Sequence, residues 1–73
     1  MLTVKDTKVI MGLTVRECRE KLGISQEELA ERAELHRTYI GQVERGETNI
    51  SLMNMVRLAK ALRVRPAELL RRL

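Results

Sequence analysis

Between Ser25 and Gly46 the chain has room for two helices and almost none for a connection between them, and that shortage of chain limits the fold more than any other feature. Ser25 followed three residues later by Glu28 is the pattern of a capping box. It stands just before Leu29, Ala30 and Ala33, so a helix is predicted from about Gln26 to Ala33. Glu34 and Leu35 leave space for a sharp corner and nothing longer. A second helix then runs from about His36 to Arg45 and is closed by Gly46, where a left-handed cap belongs.

The flanking segments supply the rest of the fold. Met11, Val15, Cys18 and Leu22 recur at the spacing of one apolar helical stripe, and Gly23 follows in a C-cap position, so a first helix ends near Leu22. Its start is open, because Gly12 weakens any helix running back through Val9 and Ile10. Residues 1–7 show no clear period and are read as an extended or frayed arm. Ser51 suits the N-cap of a fourth helix whose buried stripe is Leu52, Met55, Val56, Ala59 and Leu62. Pro66 fits the first position of a fifth, with Glu68 in its first turn, where a negative charge complements the helix dipole. The expected fold is all-α: one compact five-helix domain over residues 1–73, with a helix-turn-helix at 25–46. A domain of this size buries only about 60% of its unfolded surface, and with Tyr39 the one ring among Phe, Tyr and Trp, its core must be aliphatic residues and Met.

Several functions are excluded by inventory. One His, one Cys and no glycine-rich phosphate loop leave little for an enzyme, and no cofactor is expected. His36 has no cluster of Cys, His or acids around it with metal-ligand spacing, so no metal is expected and it is read as a helix-start residue. Cys18 alone cannot form an intrachain disulfide, and no apolar run approaches the roughly 18 residues of a membrane span or follows a signal-peptide pattern, which makes a cytoplasmic protein without membrane contact the expectation.

Fourteen Lys and Arg against ten Asp and Glu give a net charge of +4, which favours an anionic partner. Distribution says more than the sum, because seven of the ten acids lie between Glu17 and Glu44. Against that background the helix from His36 to Arg45 carries a polar face without a carboxylate. At about 100° per residue, Arg37, Thr38, Gly41, Gln42 and Arg45 share a sector roughly 140° wide, while Ile40 and Val43 point away. Two guanidinium groups, an amide and a hydroxyl are the donor types that meet phosphates and base edges in a DNA major groove. The competing reading is an ordinary solvated surface.

The segment VRECREKLGISQEELAERAELHRTYIGQVERGETNISLMNMVRLAKALRVRPAELL, from Val15 to Leu70, resembles in order and without gaps the Cro and phage-repressor type of helix-turn-helix, the XRE family. Within it, RTYIGQVERGETNISL is similar to the recognition-helix and loop segment of the controller proteins of restriction-modification systems. The resemblance implies a lambda-repressor-like domain that binds a double-stranded DNA operator as a homodimer. The third helix would lie in the major groove and the start of the second against the backbone. Matched residue by residue, it implies that Gln26 holds a phosphate and that Arg37, Thr38 and Gln42 reach base edges. Arg can bond O6 and N7 of guanine, Gln adenine, and the Thr methyl a thymine methyl; for Arg37 a phosphate contact alone is the alternative. Tyr39 would give its hydroxyl to a phosphate or pack against the second helix. Arg45, Thr48 and Asn49 would pass the sugar-phosphate backbone or form a plain loop. Glu44, at about 340° on the same wheel, lies beside Ile40 and toward the interior. By resemblance its partner is Arg19, a structural ion pair.

Leu69, Leu70 and Leu73, with Val64 and Met53, form a candidate apolar patch. A two-fold partner covering it would set the recognition helices about 34 Å apart, one turn of DNA. The alternative is that these leucines cap the monomer core. Bound upstream of a promoter such a dimer could recruit RNA polymerase, and bound across it would block transcription. No small-molecule effector is expected. The rival function is an antitoxin, whose helix-turn-helix represses its operon and whose C-terminal apolar surface holds a toxin protein. A structural or RNA-binding role is disfavoured by the lack of a sheet with stacking aromatics.

Overall fold

The computed structural model describes residues 1–73 and holds five helices and no strand: α1 (Val4–Leu22), α2 (Gln26–Ala33), α3 (Arg37–Glu44), α4 (Leu52–Leu62) and α5 (Pro66–Leu70). Helix starts follow the caps. The Ser25 hydroxyl accepts from the Glu28 N–H at 3.0 Å, His36 Nδ1 from the Thr38 N–H at 3.0 Å, and the Ser51 hydroxyl from the Asn54 N–H at 3.1 Å. The capping box expected at Ser25 is only half made, since the Glu28 carboxylate turns one turn along the helix to Arg32. A complete box forms elsewhere: the Thr3 hydroxyl accepts from the Asp6 N–H at 3.0 Å, and Asp6 Oδ2 from the Thr3 N–H at 3.2 Å. Two otherwise unpartnered donors are satisfied at once, so α1 starts at Val4 and residues 4–7 are helix rather than an arm.

Gly12 does not end that helix, because it sits where α1 meets α3. A Cβ there would stand 2.2 Å from the Val43 carbonyl oxygen and 2.8 Å from that of Glu44. What Gly12 costs in helix propensity, about 1 kcal/mol, is exchanged for backbone contact between the two helices. Gly46 adds a second seat: it leaves α3 in the left-handed region at φ 72°, and a Cβ on it would lie 2.9 Å from Val9 Cα. The corner between α2 and α3 is made by Glu34, a non-glycine residue at φ 57°. Its strain is offset by the Leu35 N–H, which donates back to the Ala30 carbonyl at 2.9 Å.

The core is aliphatic and drawn from all five helices, with Val15, Leu29, Ile40, Leu58 and Leu69 fully buried. Thr14 is buried too, and its hydroxyl donates to the Ile10 carbonyl at 2.9 Å. Two expectations need correction. On α4 the buried residues are Leu58, Ala59, Ala61 and Leu62, whereas Leu52 is 76% exposed and Met55 and Val56 are only half-buried. Periodicity gives the side of a helix that packs, not how far along it the neighbours reach. On α5, Leu69 is wholly buried in the monomer and cannot belong to a surface patch. A helix of five residues has little more than one inward position, and Leu69 fills it. Leu70 and Leu73 stay 42% and 44% exposed, and Arg71 and Arg72 tie the end of the chain to Glu17 of α1. No helix is long and apolar enough to cross a membrane.

Candidate nucleic-acid interface

The surface of α3 is only as well placed as its far side, where Glu44 is buried. Arg19 of α1 grips it, with Nε donating to Oε2 at 2.7 Å and Nη2 to Oε1 at 3.1 Å. The remaining nitrogen, Nη1, donates to the Ile24 carbonyl just before α2, at 2.8 Å. Gln26 completes the junction from α2, its Nε2 donating to Glu44 Oε1 at 3.0 Å. Three helices thus converge on one carboxylate. Hydrogen bonding to Glu44 raises the Arg19 pKa above its ordinary value, in opposition to burial. The junction also fixes Gln26: its amide nitrogen carries two hydrogens and spends one on Glu44, so the second is presented already oriented.

On the outer side, Ser25, Gln26 and Glu27 at the start of α2 face Arg37, Thr38, Gly41 and Arg45 across a shallow concavity of about 560 Å³ that no apolar side chain lines. The corner brings these two sets together. The face is not free of carboxylates, however. Arg37 Nη1 lies 3.3 Å from Glu27 Oε2, and Arg45 donates from Nε and Nη2 to the two oxygens of Glu47 at 2.9 and 3.2 Å. A helical wheel of α3 cannot show this, because the acids come from α2 and from the following loop. Arg45 holds the Glu47 carboxyl below its usual range, and its own pKa is raised in return. Both pairs are more than half exposed, so solvent screens them and either can open to a stronger anion.

Thr38 is exposed and Gln42 half-buried on the same helix. Tyr39 is half-buried, with its ring against the core and its hydroxyl donating to the Asn49 carbonyl at 3.4 Å. The hydroxyl thereby ties α3 to the loop that follows it. Thr48 lies in that loop, its hydroxyl directed at the same carbonyl at 3.4 Å. The apolar patch anticipated near the C-terminus divides. Leu70 and Leu73 line a cleft of about 300 Å³ with Val4, Ile50 and Met55, while Val64 lines a separate concavity with Leu22 and Leu62. Met53 is 63% exposed on the first turn of α4. Nothing in the local sequence points to Glu27 as the partner of Arg37, ten positions away; Glu47, two positions from Arg45, could have been suspected from proximity alone.

Residues 15–69 match the Helix-turn-helix family. The chain is 47% identical over 64 residues to control protein C.BamHI of Bacillus amyloliquefaciens, covering 86% of this chain and 79% of that protein. It is 49% identical over 67 residues to control protein C.SmaI of Serratia marcescens, covering 92% and 80%. The crystal structure of the restriction-modification controller protein C.AhdI from Aeromonas hydrophila superposes with a TM-score of 0.82 at 49% identity, over 84% of this chain and 92% of that one. With the short corner, the polar concavity and these likenesses together, the chain belongs to the helix-turn-helix family of DNA-binding transcription regulators.

Proposed function

We propose that the chain is a controller-type regulator that binds a two-fold symmetric operator as a homodimer. The observation that carries this reading is the concavity between α2 and α3, which is wholly polar and bears two arginines on a helix seated by backbone contact against α1. In this reading Arg37, Thr38 and Gln42 contact base edges, and a guanine in each half-site meets Arg37. Gln26, with its oriented second N–H, and Arg45, Thr48 and Asn49 contact phosphates, joined by the Tyr39 hydroxyl, whose lone pairs and rotation leave it able to accept or donate.

One such module covers about 600–1,000 Å² of DNA, which is little for tight specific binding, so a second copy is required. The exposed Met53, Leu70 and Leu73 offer apolar surface for it, and half-buried Val64 flanks it. Leu70→Glu is expected to shift the protein toward monomer in sedimentation while leaving its helicity intact; an unchanged dimer would place the interface elsewhere. Where the operator overlaps a promoter the dimer blocks transcription, and where it lies upstream the dimer recruits RNA polymerase. Occupancy in the cytoplasm then follows from protein concentration and dimerisation rather than from a small-molecule effector.

The test is selection of bound sequences from a random duplex DNA pool, followed by titration of the winner at several salt concentrations. A two-fold motif with half-sites about one helical turn apart is expected. Enrichment of no sequence, with weak and steeply salt-dependent binding only, would overturn the reading and turn the search to a protein partner such as a toxin.

A further inference from the structure

The two arginines on the concave face are held by carboxylates in different ways. Arg45 spends its whole Nε–Nη2 edge on both oxygens of Glu47, at 2.9 and 3.2 Å. Its free nitrogen, Nη1, lies over Gly41, 3.0 Å from where a Cβ would stand. Arg37 gives Glu27 only Nη1, at 3.3 Å. The Nε–Nη2 edge of Arg37, the fork that matches O6 and N7 of guanine, is left open. Glu27 sits in the first turn of α2, and the buried junction of Gln26 with Glu44 and Arg19 fixes that turn against α3.

We propose that Glu27 is a specificity-determining positioning residue: it holds the Arg37 guanidinium by one nitrogen so that the opposite edge is aimed outward at a base, and it does not itself touch DNA. This rests on the operator-binding reading given above. A planar fork tethered at one corner, even by an exposed contact, gives up less rotamer freedom on binding than an untethered side chain. The Glu27 charge acts in a second way, since an exposed carboxylate beside the arginine repels phosphate and lowers binding to every duplex, a loss that the aimed fork recovers only where the matching guanine is present. Arg45 is the internal contrast. With that edge occupied it keeps the hydrogens of Nη1 and one of Nη2, at the C-terminal end of α3, where a phosphate contact that carries no base preference is its expected role.

The experiment compares wild-type protein with Glu27→Gln and Glu27→Ala, and with Glu31→Gln as a charge-matched control on an exposed position of the same helix. The probes are the duplex enriched by the wild-type chain, the same duplex with the guanine opposite Arg37 replaced by adenine, and a scrambled duplex of equal composition. For both Glu27 variants, binding to scrambled DNA is expected to rise while the guanine-over-adenine preference falls by roughly fivefold to tenfold, within the range that one bidentate pair contributes. Glu31→Gln is expected to raise binding to all three duplexes by one common factor and to leave the preference intact. If both Glu27 variants also raise all three together and keep the preference, Glu27 acts only as a charge and the proposal is overturned while operator binding stands. If the wild-type chain enriches no duplex at all, operator binding falls and the proposal falls with it.

Discussion

Two arginine–glutamate pairs anchor α3, one on each side, and they share chemistry but not surroundings. On the inner side Arg19 and Glu44 keep 12% and 3% of their side chains exposed, with two hydrogen bonds between them and a third from Gln26. On the outer side Arg37 and Glu27 keep 67% and 73%, with one contact at 3.3 Å. Water is the deciding difference. A buried charge that loses its partner has no solvent to turn to, so the inner pair is fixed once the chain folds. The exposed pair exchanges its partner for water or for another anion at little cost, which is what a surface that must meet DNA requires. The same two residue types therefore serve architecture on one face of a helix and, in the function proposed above, recognition on the other.

The sharpest way to break this comparison is to remove one member of each pair. Glu44→Ala leaves the Arg19 guanidinium buried and unpaired and frees the Gln26 amide, and it is expected to cost about 3–5 kcal/mol in urea unfolding. Native domains hold about 5–15 kcal/mol in all, and a short one sits low in that range, so much of the population would be unfolded at 37 °C. A loss within about 0.5 kcal/mol, the range of ordinary surface substitutions, would mean that burial does not separate the two pairs.

Gly12→Ala should come next. The new Cβ would meet backbone oxygen at 2.2 and 2.8 Å, and backbone cannot step aside as a flexible side chain can. A loss of about 1–3 kcal/mol is expected, with α3 displaced from α1. An unchanged urea midpoint would show that the two helices separate freely. That result would remove the support on which the outer face depends.

These two sites also mark what could be read from sequence and what could not. The corner between α2 and α3, the caps at Ser25 and Ser51 and the stripe through Met11, Val15 and Cys18 are local patterns, set by neighbours within a turn or two. Gly12 was equally local in appearance, yet its role comes from α3, some thirty residues on in the chain, where the Val43 carbonyl lies. The face of Arg37, Thr38, Gln42 and Arg45 was legible because one helix carries it. Glu27 was not, because it enters from another helix, and Glu47 lies beyond the end of the wheel. Leu69 was misplaced for a related reason: a run of apolar residues in α5 does not reveal which of them the core has room for. The start of α1 at Val4 has a local signal, the pair Thr3 and Asp6, that the weak periodicity of the segment conceals.

On the outer side, Arg37→Ala is expected to leave stability within about 0.5 kcal/mol, because an exposed pair contributes little. Its effect should appear only on DNA, as a loss of about 1–3 kcal/mol confined to one base pair of each half-site. Equal losses on every sequence would make Arg37 a phosphate contact, the role proposed for Arg45.

Arg45→Ala should have the smallest effect, and its form is more informative than its size. In the free protein Glu47 occupies the Arg45 fork, and hydrogen bonding keeps the Glu47 carboxyl ionised below its usual range. A group with a lowered folded pKa stabilises the fold above its unfolded value and loses that contribution as pH falls through the folded one. The pair is therefore intact at neutral pH, and Nη1, beside Gly41, is not part of it. As a phosphate contact from the end of α3, Arg45 carries no sequence information, so binding should weaken to a similar degree on operator and scrambled duplex. The slope of log K against log salt should become shallower by about one. If Arg45→Ala instead removed preference at a base pair, Arg45 reads a base through its remaining N–H groups or after its bond to Glu47 opens, and the contrast between a free and an occupied Nε–Nη2 edge would no longer separate the two arginines.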